Sequence, residues 1–264
     1  MLVLSAIASL VALSIWGVER LLADDEHTVW GADLGRWVSR LDAQDAYVRD
    51  SAITAVSYLV AREWSEFAAT SHGQSSPTRA EVVAALSALV WRIGDADSLL
   101  REHAVTAVLD VTAERAPIVR HASVGNAYGD RGESPEDARE GAREEAREVV
   151  RDVASTVLRT SARDHSRHAS TRSALEVLAA IGAPSQAIPL IAAIATGHAS
   201  PTVRELALLV VVRSPVPDVR SAGRQRALLL ISACDTSAEV RNVAVDATTG
   251  PDSSCGHGWS ALHR

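Results

Sequence analysis

The stretch Ser237-Ala238-Glu239-Val240-Arg241-Asn242-Val243-Ala244-Val245-Asp246-Ala247-Thr248 opens on a helix-capping residue and carries one arginine directly after a valine. Small or apolar residues then stand at +3, +6 and +7 from that arginine: Ala244, Ala247 and Thr248. The same frame occurs three more times. Val48-Arg49 is followed by Ala52, Ala55 and Val56, Leu100-Arg101 by Ala104, Ala107 and Val108, and Val203-Arg204 by Ala207, Val210 and Val211. Four residues before each arginine stands a good N-cap: Asp45, Asp97, Ser200 and Ser237. A side-chain oxygen there accepts from an orphan N–H of the first turn, worth about 1 kcal/mol. Cap, arginine and small apolar face therefore recur in a fixed register, which is an internal repeat.

Each such helix follows another helical pattern. Residues 79–93 carry Val82, Val83, Leu86, Leu89, Val90 and Ile93 at helical spacing, and Gly94-Asp95 breaks the run before Asp97. Residues 183–196 precede Ser200 in the same way, and 217–233 precede Ser237. The unit is a helical hairpin. One hairpin cannot bury its apolar face alone, so neighbours must stack on it. The expected fold is all-α, an α-solenoid of about five stacked antiparallel helical hairpins.

The run Ile181-Gly182-Ala183-Pro184-Ser185-Gln186-Ala187-Ile188-Pro189-Leu190-Ile191 resembles the HEAT-repeat signature in its bilin-lyase-like form. Asp235-Thr236-Ser237-Ala238-Glu239-Val240-Arg241 is similar to the start of the second helix of such a repeat. The resemblance covers roughly residues 36–249 and is clearest over 171–249. It implies a ladder of acid and arginine between adjacent repeats, with Arg49, Arg101, Arg204, Arg241, Asp45 and Asp97 in structural roles. In the third unit, aligned on Ile181-Gly182, Thr171 takes the arginine column and Arg172 follows one place later.

The arginine columns are unevenly spaced, so the two longer intervals hold insertions, read as loops at 65–78 and 114–134. The chain divides into an apolar N-terminal helix (1–30), the repeat region (31–249) and a C-terminal tail (250–264). After the second loop Ser134 is the expected cap and Pro135 suits the first helical position. Glu136, Glu140, Glu144 and Glu148 then form one stripe, and Arg139, Arg143, Arg147 and Arg151 a parallel one three residues later. Ala138, Ala142, Ala146 and Val149 or Val150 leave a thin apolar face.

The local basic cluster lies at 159–172, where Arg159, Arg163, Arg167 and Arg172, with His165 and His168, meet one acid, Asp164. It reads as a solvated turn, or as a patch for an acidic partner through Arg159, Arg163, His165, Arg167 and His168. Interleaved aromatics are missing, and the net charge of −7 speaks against a nucleic-acid coat.

The chain has 46 alanines, 26 arginines and no lysine. The alanines serve close helix packing, and the missing lysine reads as codon bias. There is no phosphate-cradling glycine loop, H-E-x-x-H, C-x-x-C or G-x-S-x-G. Cys255, His257 and His263 sit in the Ser/Gly-rich tail and are read as tail residues rather than metal ligands. Cys234 is expected as a small core residue, and the tryptophans as packing residues. No catalytic, cofactor-binding or metal-binding residue is assigned, and no cofactor is expected.

Residues 1–18 carry no charge and reach the lower limit for crossing a bilayer. Ser5, Ser9 and Ser14 dilute the run, and no Lys or Arg precedes it, so a buried or capping first helix is the reading, with a membrane anchor or a cleaved signal as the alternatives. Function is then expected to be non-enzymatic: a cytoplasmic protein–protein interaction scaffold or adaptor, its partner another protein. The alternative is an enzyme or enzyme accessory of the HEAT-like lyase or DNA-glycosylase type, which needs acid, Trp or Tyr, and Arg converging in a pocket.

Overall fold

The computed structural model describes residues 28–67, 77–113, 135–164, 167–214 and 219–248. Among them lie α1 (Leu34–Arg40), α2 (Ala46–Phe67), α3 (Arg79–Trp91), α4 (Ser98–Thr112), α5 (Pro135–Ser161), α6 (His168–Ile181), α7 (Ile188–Gly197), α8 (Pro201–Arg213), α9 (Val219–Ser232) and α10 (Ala238–Thr248). Short 3₁₀ turns at Arg92–Gly94 and Ser185–Ala187 follow α3 and precede α7. The described residues contain no strand, and the fold is all-α. The apolar segment 1–18, the loop 114–134, Ser134, His165 and the tail 250–264 lie outside the described residues.

The chain divides into two compact units. The first takes the described residues up to Leu89, together with α5 as far as Ala146. Here α1 packs on α2, which buries Ala52, Ile53, Ala55, Val56, Leu59 and Val60. Asp33 caps α1 through the Arg36 N–H at 2.8 Å. Before it, Val29 and Ala32 exchange backbone bonds around a turn in which Trp30 has φ +50° and Gly31 φ +70°. The Trp37 indole closes this turn by donating to the Val29 carbonyl at 2.8 Å. The predicted loop at 65–78 is shorter than expected at both described ends, because α2 runs on to Phe67 and Thr78 already belongs to the next helix start. There the Glu81 carboxylate accepts from the Thr78 N–H (2.6 Å) while the Thr78 hydroxyl accepts from the Glu81 N–H (3.3 Å). This is a reciprocal capping box.

The second unit takes residues 90–112 and the described residues from 147 onward. Helices α4, α6, α8 and α10 follow one another side by side, and α7 and α9 pair with α8 and α10 as hairpins and touch each other. This is the hairpin-on-hairpin stacking of an α-solenoid. Its core is aliphatic and small: Ala104, Val108, Ala174, Leu175, Leu178, Ile191, Ala207, Leu208, Val240 and Ala244 are buried. At roughly 25 cal/mol per Å² of apolar surface removed from water, such contacts between neighbours hold the stack.

Helix α5 is longer than its charged stripe. The stripe ends at Arg151, but Ala154, Val157 and Leu158 keep the apolar period and are buried, so the helix continues to Ser161. Arg143 pairs with Glu140 at 3.4 Å, an expected i, i+3 pair, and Arg151 Nε donates to the Ile181 carbonyl at 3.2 Å, tying α5 to the end of α6. Helix α6 ends at Gly182, whose φ of +86° and ψ of 148° turn the chain into the extended Pro184. Cys234 is exposed in the α9–α10 turn, which corrects its reading as a core residue. Among the tryptophans, Trp37 and Trp64 are buried, while Trp30 and Trp91 are partly exposed.

Candidate functional site

The repeat arginines share one geometry. Arg49 Nη1 donates to the carbonyls of Ala43 (2.8 Å) and Gln44 (2.9 Å). Arg101 Nη1 donates to those of Asp95 (2.6 Å) and Ala96 (2.9 Å), and Arg204 Nη1 to those of His198 (2.7 Å) and Ala199 (3.2 Å). Arg241 Nη1 does the same with Asp235 (2.7 Å) and Thr236 (3.0 Å). The acceptors are always the residues six and five places before the arginine, which form the turn inside the hairpin. Each arginine thus ties down carbonyls that the turn leaves without helical partners, and in every case its helix begins three residues earlier. Thr171, fourth residue of α6, stands in the same column. It is buried, and its hydroxyl donates to Ser161 Oγ (3.0 Å) and the Arg167 carbonyl (3.2 Å).

Arg204 also reaches the next hairpin. Arg204 Nε and Nη2 grip the Asp235 carboxylate, at 2.8 Å to Oδ2 and 2.7 Å to Oδ1, with both side chains nearly buried. The hydrogen bonds from Arg204 hold the Asp235 carboxyl below its ordinary value, and the Ser237 N–H adds to the effect. The guanidinium is pushed upward by the same contact. The gripped acid stands six residues before Arg241, in the turn. Asp45 and Asp97 stand four before their arginines, and there they cap helices. Asp45 Oδ1 accepts from Tyr47 (2.8 Å) and Val48 (3.3 Å), and Asp97 Oδ1 from Leu99 (2.9 Å) and Leu100 (3.4 Å). Ser200 occupies the N-cap of α8 without a side-chain capping bond, and the Ser237 hydroxyl donates to Glu239.

The position six before the arginine is what sequence reasoning missed. Its side chain accepts from the N–H two residues on: Asp95 from Asp97 at 3.0 Å, His198 from Ser200 at 3.1 Å, and Asp235 from Ser237 at 2.8 Å. The signal was present as an acceptor-x-cap pattern at 95–97, 198–200 and 235–237.

The basic cluster lies on the α5–α6 turn. Arg159 is exposed on the last turn of α5, Arg163 is exposed between the helices, and Arg167 and His168 are exposed at the start of α6. Arg167 pairs with Asp164 at 3.3 Å and Arg172 with Glu176 at 2.8 Å. Such solvent-facing pairs contribute little.

No family model matches the chain. No curated protein matches it either. Among solved structures it is similar to computationally designed armadillo repeat proteins for modular peptide recognition (18% identity, TM-score 0.42, 81% of this chain and 80% of that one). It is also similar to a designed armadillo repeat protein in complex with the peptide (KR)4, at 18% identity and a TM-score of 0.43 over 82% of this chain and 80% of that one.

A buried acid beside a tryptophan does occur in the first unit, at Glu63 and Trp64. Its carboxylate meets Arg62 Nη2 at 2.8 Å with both side chains buried, and the Trp64 indole N–H is engaged by the Ala142 carbonyl. The Trp64 bond ties α2 to α5 within the first unit. Among the described residues no three His, Cys, Asp or Glu side chains gather as a metal site, and no helix is long and apolar enough to cross a membrane.

Proposed function

We propose that the chain is a HEAT-type interaction scaffold, a non-enzymatic adaptor that docks an acidic segment of another protein on the α5–α6 edge. The observation that carries this reading is the contrast between the two sets of arginines. The repeat arginines donate to their own turns and, at Arg204, to Asp235. Arg159 and Arg163 are exposed and hold no ion pair among the described residues, in a chain of net charge −7. A guanidinium pair left open in this way suits carboxylates presented by a partner, because each fork can donate to two oxygens. His168 and Arg167 extend the same edge. The residue groups 1–30, 31–249 and 250–264 serve in this proposal as leading segment, scaffold and tail.

The test compares wild-type protein with the double variant Arg159→Glu/Arg163→Glu in affinity capture, followed by elution with a salt gradient. The proposal expects a specific protein retained by the wild type, released by salt and absent from the double variant. An identical set of proteins on both would overturn it.

A further inference from the structure

Val245 on α10 and Ile231 on α9 are 44% and 46% exposed, although both hold register positions that earlier hairpins bury. Val245 stands four residues after Arg241. Four residues after the same column on α4, α6 and α8 stand Val105, Leu175 and Leu208, and all three are buried. Ile231 stands ten residues before Arg241, and Ile194, ten before Arg204, is buried. The α9–α10 hairpin packs on α7 and α8, and among the described residues no further hairpin follows it. Leu230, also exposed, widens the apolar patch. The terminal repeat of such an array stays soluble when its outer face is polar, and this face keeps the residues of a repeat contact instead.

The two helices of the face differ in charge. On α9 the exposed Arg224 lies seven residues before Ile231, about two turns away and on the same side. On α10 the exposed Asp246 adjoins Val245. Neither holds an ion pair among the described residues. Each stands eight residues from the end of its helix that meets the α9–α10 turn, Arg224 from Ser232 and Asp246 from Ala238. With the α-helical rise both therefore lie about 12 Å from the turn.

That match favours one way of docking. A two-fold axis in the plane of the face, parallel to the helices, sets α9 of one copy on α10 of the other. Arg224 of each copy then stands level with Asp246 of the other, and Ile231 meets the small, exposed Ala238. The alternative two-fold, α9 on α9, sets the exposed Arg224 and Arg226 against their own kind.

We propose that the α9–α10 face is a self-association surface, on which a second copy of this chain docks end to end, α9 on α10. Such an isologous contact closes on itself and yields a dimer rather than a filament. It uses no residue of the α5–α6 edge and stands apart from the acidic partner proposed there.

Sedimentation velocity of the full chain over a range of concentrations tests it, and should show a monomer–dimer equilibrium. Ile231→Glu puts a charge into the contact and should weaken association at least about tenfold. Arg224→Asp and Asp246→Arg change exposed side chains, so the fold should persist, and each should weaken association about two- to fivefold. Combined in one chain, the two substitutions rebuild the opposite pairing and should recover the wild-type affinity. A wild type monomeric at every concentration would overturn the proposal, whether residues 249–264 or another protein then covers the face. A dimer indifferent to Ile231→Glu, or a double charge variant no tighter than the single ones, would overturn it as well.

Discussion

Arg204 and Asp235, 31 residues apart in sequence, face each other fork to fork across the junction of the last two hairpins. The same guanidinium holds two carbonyls of its own turn, and the same carboxylate holds the Ser237 N–H. Two turns and one inter-hairpin contact thus converge on a single nearly buried pair. Removing one partner of such a pair leaves the other charge without compensation, which is expensive.

Arg204→Ala should therefore destabilise the protein by about 3 kcal/mol or more. Arg241→Ala loses chiefly the turn carbonyls of its own hairpin and should cost about 1–2 kcal/mol. Lysine at 204 cannot serve both the carboxylate fork and the turn carbonyls, so Arg204→Lys should fall between wild type and alanine. Urea unfolding of the three variants checks the order. If Arg204→Ala proved no worse than Arg241→Ala, the contact with Asp235 would be shown to carry no stability.

The same pair sets an acid limit. The Asp235 carboxyl is lowered in the fold, chiefly by hydrogen bonds from Arg204. A group of this kind stabilises the fold fully above its unfolded value, near 4, and the contribution is lost as the pH falls through the lower folded value. Stability carried by Asp235 should thus be flat above about pH 5 and decline below about pH 4. Asp235→Asn should be less stable at neutral pH and lack that part of the decline. Thermal unfolding of both proteins from pH 7 to pH 3 measures the difference, which should shrink towards acid.

Gly182 bears on the Ile181-Gly182-Ala183-Pro184 run. Its φ of +86° and ψ of 148° lie in a region that L-residues rarely adopt. A Cβ built there meets no atom within 4 Å, so crowding is not the issue. Gly182→Ala should cost on the order of 1–3 kcal/mol through backbone strain alone. Chemical denaturation should show the loss with an unchanged m-value. An unaffected midpoint would mean the α6–α7 connection can adopt another path.

The repeat frame was legible because it is local: every arginine-column helix begins three residues before Arg49, Arg101, Thr171, Arg204 or Arg241. Helix lengths were harder to see where the cue was charge. The stripe on α5 ends at Arg151, and only the apolar period of Ala154, Val157 and Leu158 carries the helix on to Ser161. The late start of α7 follows from Pro184 and Pro189, which hold the chain extended and then open the helix. Contacts between hairpins were the least legible. Nothing in the local sequence says that Arg204 reaches residue 235 or that His168 reaches residue 198, since those distances are set by how the hairpins pack.

Two serines on helices have buried hydroxyls with no hydrogen-bond partner among the described residues: Ser155 inside α5, 3% exposed, and Ser232 at the end of α9, 2% exposed. By contrast, the buried Thr112 hydroxyl on α4 returns to the Val108 carbonyl one turn back at 3.1 Å, and that of Ser214, the C-cap of α8, to Val210 at 2.7 Å. A buried hydroxyl without that bond has lost its hydration and gained nothing, a penalty of about 1 kcal/mol or more. Alanine removes the penalty, leaves no cavity larger than the missing oxygen, and is the better helix former by about 0.5 kcal/mol. Ser155→Ala and Ser232→Ala should therefore each stabilise the fold by about 1 kcal/mol, where truncation of a bonded partner such as Ser214 should destabilise it. Urea midpoints of the three alanine variants decide the matter. A destabilised Ser155→Ala would mean that its hydroxyl has a partner in solution, which would put a polar contact inside the small-residue face of α5.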